Sequence, residues 1–329
     1  MSLLSRLTRR SLLALTLTAP LVVASAPLPL SAAETPAATA TTLRIGWQKG
    51  GALAVIKGRG DFEKNLKAQG ITVTWNEFPA GPQMLEALNV GSIDLGVVGE
   101  TPPVFAQAAG ADLLYVANEP ASPQAEAILV PKGSDIKTLA DLKGKRVVLN
   151  KGSNVHYLLV QALKKAGLQY SDITVSYLPP ADARAAFEKG AVDAWVIWDP
   201  FASAAEAQSG AIRLADATGL ADNHNFYIAR RPFAEQHPVV LKQTLDEIAK
   251  EGGWITTHLD EAAAIVAPQI GLSFDITRTA FGHYGYGAKL VNEDVTQRQQ
   301  KIADAFYDLK LIPKKVEVSP VVWRPGLTN

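Results

Sequence analysis

Cysteine is absent from all 329 residues, which excludes disulfides, thiolate catalysis and cysteine-based zinc sites. Lipid attachment through an N-terminal cysteine is likewise not expected. Net charge is missing too, because 32 Lys plus Arg balance 32 Asp plus Glu. A nucleic-acid binder shows a basic excess, so any charge selectivity has to be local. The five histidines, His156, His224, His237, His258 and His283, show no metal-ligand spacing. There is no GxSxG, and Lys151-Gly152-Ser153 lacks the rest of a phosphate-binding P-loop. No catalytic constellation, metal site or cofactor site is visible, and the chain is not expected to be an enzyme. Beyond the N-terminus, no run is long and apolar enough to span a bilayer.

The N-terminus itself is informative. Arg6, Arg9 and Arg10 precede an apolar run from Leu12 to Val23, and Ser31-Ala32-Ala33 offers small residues for cleavage. This is a signal-peptide pattern over residues 1–33. The paired arginines of Thr8-Arg9-Arg10-Ser11-Leu12-Leu13 fit a twin-arginine signal and equally an ordinary secretory one. Residues 34–42, rich in Ala, Thr and Pro, read as a flexible leader. The mature chain is expected to be soluble outside the inner membrane. Hydrophobic residues make up 47% of the chain, enough for the cores of two lobes.

The mature region alternates short apolar runs with helix-like segments. Strands are expected at 43–47, 71–78, 95–98 and 113–116, and helices at 52–69, 82–90 and 101–109. This rhythm predicts α/β architecture with mostly parallel sheets. An internal repeat organises it. Arg44-Ile45-Gly46-Trp47-Gln48-Lys49-Gly50-Gly51 resembles Arg146-Val147-Val148-Leu149-Asn150-Lys151-Gly152-Ser153. Downstream, residues 87–94 resemble residues 186–193, each a helix and a glycine stop leading through Asp into a strand. Two matched blocks at nearly one offset predict two similar lobes. Residues 43–121 and 226–329 are assigned to the first, and 122–225 to the second. The chain then crosses twice, near 118–123 and 222–225, in a two-segment hinge of the kind clamshell proteins use.

Each lobe places a glycine-containing turn before a helix, at Gly50-Gly51 and at Gly152-Ser153-Asn154. The first N–H groups of a helix lack intrahelical partners and, with the helix dipole, favour an anion. Glycine lets a ligand approach the backbone. Ser153 and Asn154 are also good capping residues, so plain capping is the competing reading. Equivalent turns at strand C-termini of facing lobes favour a shared ligand. Gly99-Glu100-Thr101 is a third candidate edge, where Thr101 either caps the next helix or offers its hydroxyl. Glu100 and Asp199 would repel an anion if they point inward; capping, pinning the turns and joining the lobes are the alternatives. Trp195 and Trp198 face opposite sides of a strand, one into the core and the other towards the cleft. Tyr284 and Tyr286 sit in a glycine-flanked turn that is a candidate cleft rim.

Taken together, WQKGG (47–51), EFPAGPQMLEALNVGSIDLG (77–96), PPVFAQAAGADLLYV (102–116), ADARAAFEKGAVDAWVIWDP (181–200) and IPKKV (312–316) resemble the periplasmic aliphatic sulfonate-binding proteins of sulfonate importers, in the sulfonate, taurine and nitrate solute-binding family. The resemblance spans nearly all of the mature chain. It implies a type II periplasmic binding protein fold, capture of alkanesulfonates for sulfur supply, and delivery to a membrane permease with ATP-binding subunits by a monomer. The site it implies is Gln48, Gly50, Gly51, Gly99, Glu100, Thr101, Gly152, Ser153, Asn154, Trp198 and Asn225, with Trp198 against the alkyl tail. A sulfonate has three acceptor oxygens, and backbone N–H groups with Gln48, Thr101, Ser153 and Asn154 are the expected donors. Taurine or a nitrate-type anion is the alternative ligand. Similar taurine binders carry an acid just before the return strand, where this chain has Asn223, His224 and Asn225. The family's usual Gly-Asp at the third turn is Gly99-Glu100 here.

Overall fold

The computed structural model describes residues 41–325, so the expected signal peptide and residues 34–40 of the leader lie outside the described residues. Thr41 and Thr42, expected in the leader, instead open the first strand, paired in register with Ile71 and Thr72. Both are β-branched and suit an extended, paired backbone.

The first half of the chain runs β1 (Thr41–Trp47), α1 (Gly51–Arg59), α2 (Asp61–Ala68), β2 (Ile71–Glu77), α3 (Gly81–Asn89), β3 (Leu95–Val98), α4 (Thr101–Ala108) and β4 (Leu113–Asn118). The second repeats the plan with β5 (Glu126–Val130), β6 (Arg146–Leu149), α5 (Asn154–Lys165), β7 (Thr174–Tyr177), α6 (Pro180–Glu188), β8 (Ala194–Trp198), α7 (Phe201–Ser209) and β9 (Ile212–Asp216). The return comprises β10 (Phe226–Arg230), α8 (Arg231–Gln236), α9 (Pro238–Thr257), α10 (Leu259–Ile270), α11 (Phe274–Gly282) and α12 (Glu293–Asp308). The sequence pattern joined α1 and α2 into one helix. They part at Gly60, whose φ of 70° closes α1 with a left-handed C-cap. Asp61 and Glu63 then supply the acidic first turn of α2.

Two five-stranded sheets result, in the orders β2-β1-β3-β10-β4 and β7-β6-β8-β5-β9. They are mixed rather than mostly parallel. β1 runs parallel to β2 and β3, but β10 is antiparallel to β3 and β4. β6 likewise runs parallel to β7 and β8, while β5 is antiparallel to β8 and β9. In each sheet the antiparallel strand is the one that follows a crossing, a reversal that a βαβ rhythm does not reveal. Each sheet is covered on both faces. One face of the first packs against α1, α9, α10 and α11 through Leu53, Ile56, Leu245, Val266 and Phe281. The other face packs α3, α4 and α12 through Met84, Val104 and Phe306. Burial on both sides explains why β3 (Leu-Gly-Val-Val) and β8 (Ala-Trp-Val-Ile-Trp) are continuous apolar runs. No helix among the described residues is long and apolar enough to cross a membrane.

The repeated sequence blocks turn out to hold one ion pair twice. Arg44 Nη2 meets Asp94 Oδ1 at 2.6 Å, and Arg146 Nη2 meets Asp193 Oδ1 at 2.6 Å. In both lobes the arginine also donates to the carbonyl of the glycine stop, Gly91 or Gly190. The two crossings lie side by side. Ser122 N donates to Asp222 O, and Glu119 N to Asn225 O, both at 2.9 Å. This is the two-segment hinge of a type II periplasmic binding protein fold.

Candidate functional site

Between the two sheets, at the C-terminal ends of their parallel strands, lies a cavity of about 90 Å³. That is room for a few water-sized groups, the scale of a small anion with a short tail. Both α1 and α5 begin at its wall, and neither N-terminus is capped by a side chain. The first-turn N–H groups of Gly51, Ala52, Asn154 and Val155 have no intrahelical carbonyl to meet. Each helix dipole adds roughly 0.3–1 kcal/mol of preference for an anion, and up to about 2 where partly buried.

The α1 turn is built from glycine. Gly51 sits at φ 69°, in the left-handed region that other residues enter at a cost. A Cβ on Gly50 would stand 3.2 Å from the carbonyl oxygen of Asp199, in the opposite lobe. At Gly99 a Cβ would meet the Cβ of Asn154 at 2.7 Å, again across the cleft. The α5 turn carries side chains, but they face protein acceptors. Ser153 Oγ donates to Asn150 O at 2.7 Å. Asn154 Nδ2 donates to Glu126 Oε2 at 2.8 Å and to Asn223 Oδ1 at 2.9 Å. Asn225 Nδ2 donates to Glu119 Oε2 at 3.0 Å, and Gln48 Nε2 to Val97 O at 3.2 Å. Ser153 and Asn154 are thus committed to protein acceptors, while Gln48 Nε2 and Asn225 Nδ2 each keep a second N–H, so the open donors at the wall are these two amides and the backbone N–H groups of the helix starts.

Eight of the expected site residues come together at this cavity: Gln48, Gly50, Gly51, Gly99, Ser153, Asn154, Trp198 and Asn225. Three stand outside its wall. Gly152 has φ 73° and lies against the ring of Phe105, 3.2 Å from where a Cβ would be. Glu100 and Thr101 are buried behind the surface. Thr101 is followed by Pro102 and Pro103, which have no N–H, so the start of α4 is poor in donors.

The acids near the cleft are disarmed in different ways. Burial pushes the Glu100 carboxyl up to about 8, against a hydrogen bond from His224 N. Burial likewise pushes Glu119 up to about 7, although Asn225 and Tyr227 donate to it. Both values favour neutral forms near pH 7 more than an exposed acid would. Asp199 reaches the cavity, but Ser203 N donates to its Oδ1 at 2.8 Å and His283 Nδ1 lies 2.6 Å from its Oδ2. It therefore both caps α7 and joins the lobes. Lys49 is the one basic side chain among the described residues lining the cavity, and it pairs with Glu77 at 3.3 Å.

The apolar part of the wall comes from Phe78, Pro79, Pro102, Trp198 and Phe201. Trp198 meets Phe201 edge-on, with centroids 6.1 Å apart, while Trp195 is buried in the second-lobe core. Phe78, Phe201 and Asn223 were not singled out for the site from the sequence. Phe78 follows β2 and Phe201 follows β8 at strand C-termini, the signal that would have found them. Tyr284, a rim candidate, lines the cavity; Tyr286 does not, and donates to Phe281 O at 2.7 Å. His156, fully buried, has its pKa pushed down to about 3 by desolvation and is neutral, with Nε2 2.8 Å from Tyr170 Oη.

Comparison with known proteins agrees with this architecture. The profile of the family described as NMT1/THI5 like matches residues 65–262. The Escherichia coli (strain K12) protein named "Putative aliphatic sulfonates-binding protein" is 47% identical over 285 residues, covering 86% of this chain and 89% of that protein. The crystal structure of the periplasmic aliphatic sulphonate binding protein SsuA from Escherichia coli superposes with a TM-score of 0.79 at 46% identity, covering 88% of this chain and 94% of that one. The alkanesulfonate-binding protein SsuA from Xanthomonas axonopodis pv. citri, bound to MOPS, gives 0.83 at 43% identity, covering 88% and 100%. The chain belongs to the NMT1/THI5 like family and is similar in sequence and fold to periplasmic aliphatic sulfonate-binding proteins.

Proposed function

We propose that this protein captures an aliphatic sulfonate between its lobes and delivers it to an ABC importer, as a binding protein and not an enzyme. The observation that carries the reading is the pair of uncapped helix starts, α1 and α5, meeting at one cavity with an aromatic wall. A sulfonate stays ionised across the biological pH range and accepts hydrogen bonds without donating any. Open N–H groups suit it, and a free Lys or Arg is not needed. Neutral donors also let the solute leave during transport. Trp198, Phe201 and Phe78 would hold the alkyl tail, each buried CH₂ adding at most about 0.8 kcal/mol. The similarity to sulfonate-binding relatives supports the same ligand class.

In this reading Gln48, Gly50, Gly51, Gly99, Ser153, Asn154, Trp198 and Asn225 form the site. Glu100, Thr101 and Gly152 support it from behind. Residues 43–121 and 226–329 form the first lobe and 122–225 the second. The protein acts as a monomer in the periplasm, docking on a permease with ATP-binding subunits, after export by the secretory or the twin-arginine route. Calorimetry on the mature protein tests the ligand. Methane-, ethane- and butanesulfonate should bind, with nitrate and taurine weaker. Tight nitrate or taurine binding with no response to the alkanesulfonates would overturn the reading.

A further inference from the structure

One contact between the lobes lies beside the cavity and is not needed to cradle an anion. Residues 283–285 follow α11, whose Ala280 and Phe281 belong to the core of the first sheet. Three consecutive residues reach across from there. His283 Nδ1 lies 2.6 Å from Asp199 Oδ2. Tyr284 Oη donates to the Asp199 carbonyl. Gly285 N donates to Ser122 Oγ, in the first crossing, at 2.8 Å. Tyr286 Oη ties the far end of the segment back to α11 at Phe281 O.

Two of these contacts converge on Asp199. It is fully buried, and both its carboxylate oxygens are partnered, one by the start of α7 and one by His283. Its own N–H donates to Ala125 O at the start of β5. It is therefore firmly part of the second lobe. It is also the neighbour of Trp198, and its carbonyl faces Gly50 at the α1 start. Whatever grips Asp199 sets the distance between the aromatic wall and the first helix terminus.

We propose that His283 and Tyr284 are an interlobe latch: by gripping Asp199 they hold the Trp198–Phe201 wall against the α1 turn and so set how long a bound solute stays. His283 does not line the cavity, so it is a positioning residue and not a ligand contact. A charge-assisted hydrogen bond to a buried carboxylate is among the stronger polar contacts in a protein. Opening the cleft hydrates both partners, which offsets most of its worth and leaves a bias that transport can reverse.

The proposal rests on the sulfonate reading only for its choice of ligand. The test uses the mature protein, its His283→Ala variant, and His283→Asn, which keeps a donor at the Nδ1 position. Stopped-flow tryptophan fluorescence follows ethanesulfonate association and dissociation, and small-angle X-ray scattering follows lobe separation with and without it. His283→Ala should release ethanesulfonate on the order of tenfold faster, with association within about twofold of wild type, and should scatter as a more open particle. His283→Asn should recover most of the slow release. Equal dissociation rates and equal scattering for wild type and His283→Ala would overturn the latch. So would faster release in both variants alike, because loss of local structure and not loss of the donor would then be the cause. If ethanesulfonate binds none of the three proteins, the ligand reading fails and scattering alone decides the latch.

Discussion

The starts of α1 and α5 occupy matching places in the two lobes, yet they are made of different residues. Gly50 and Gly51 stand at one, Ser153 and Asn154 at the other. On residue type alone, the second start should offer hydroxyl and amide donors and the first only backbone. The structure evens them out. Ser153 turns its hydroxyl to Asn150 O, and Asn154 turns its amide to Glu126 and Asn223. Buried acceptors behind the second turn claim those side chains before a ligand can. Side-chain chemistry at a helix start therefore has to be weighed against what lies behind it. Both lobes then present the same thing to the cleft, a first turn of backbone with no side-chain cap.

The first lobe's turn should be the more sensitive to bulk. Gly50→Val puts a side chain where Asp199 O stands 3.2 Å from a Cβ. Overpacking of this kind costs about 1–3 kcal/mol, so ethanesulfonate affinity by calorimetry should fall up to about a hundredfold, with the fold retained by circular dichroism. The second turn should be sensitive to its backing instead. Asn154→Ala leaves Glu126 Oε2 and Asn223 Oδ1 short of a donor, and urea unfolding should show a loss of about 1–3 kcal/mol. The wall should matter next. Trp198→Ala should weaken butanesulfonate about tenfold and methanesulfonate less, because only the longer tail reaches apolar surface.

A pH experiment sharpens the comparison at the back of the cleft. Glu100 has a folded-state pKa near 8, above its unfolded value. Its contribution to stability is therefore fully present below the unfolded pKa, and it is lost as pH rises through about 8. Wild type should lose stability between about pH 5 and 8, and Glu100→Gln should lose less over the same window in urea titrations. Ser153→Ala is the smallest expected effect. An N-cap serine is commonly worth about 1 kcal/mol, but this one makes no cap bond. Losing its buried hydrogen bond to Asn150 O should cost about 0.5–1.5 kcal/mol in urea unfolding, with sulfonate affinity close to wild type.

The fold was legible where local chemistry repeats. The blocks around Arg44 and Arg146, with Asp94 and Asp193, carry one ion pair and one glycine stop in each lobe, and the same contacts demand the same residues at the same spacing. What was not legible depends on direction or on distant partners. The antiparallel course of β5 and β10 comes from the crossings, which leave no periodic mark. Gly60 splits a helix inside an otherwise continuous pattern. In the site, glycine turns and strand ends pointed to Gly50, Gly51, Gly99 and Asn154. Gly152 shares the pattern but packs against the Phe105 ring, outside the cavity wall. Tyr284 was marked by its glycine-flanked turn, whereas Phe78 and Phe201 reach the cavity from separate elements that no short motif joins. The buried acids behind Asn154 and Asn225 are the least predictable part, since carboxylates are seldom buried without partners.

Amide NMR on ¹⁵N-labelled protein, titrated with ethanesulfonate, bears most directly on a backbone cradle shared by two lobes. The largest downfield amide proton shifts should fall together on Gly51, Ala52, Asn154 and Val155, one pair from each lobe, at a single saturating ligand concentration. Shifts confined to one lobe, or centred on Lys49 with these four amides unmoved, would contradict it.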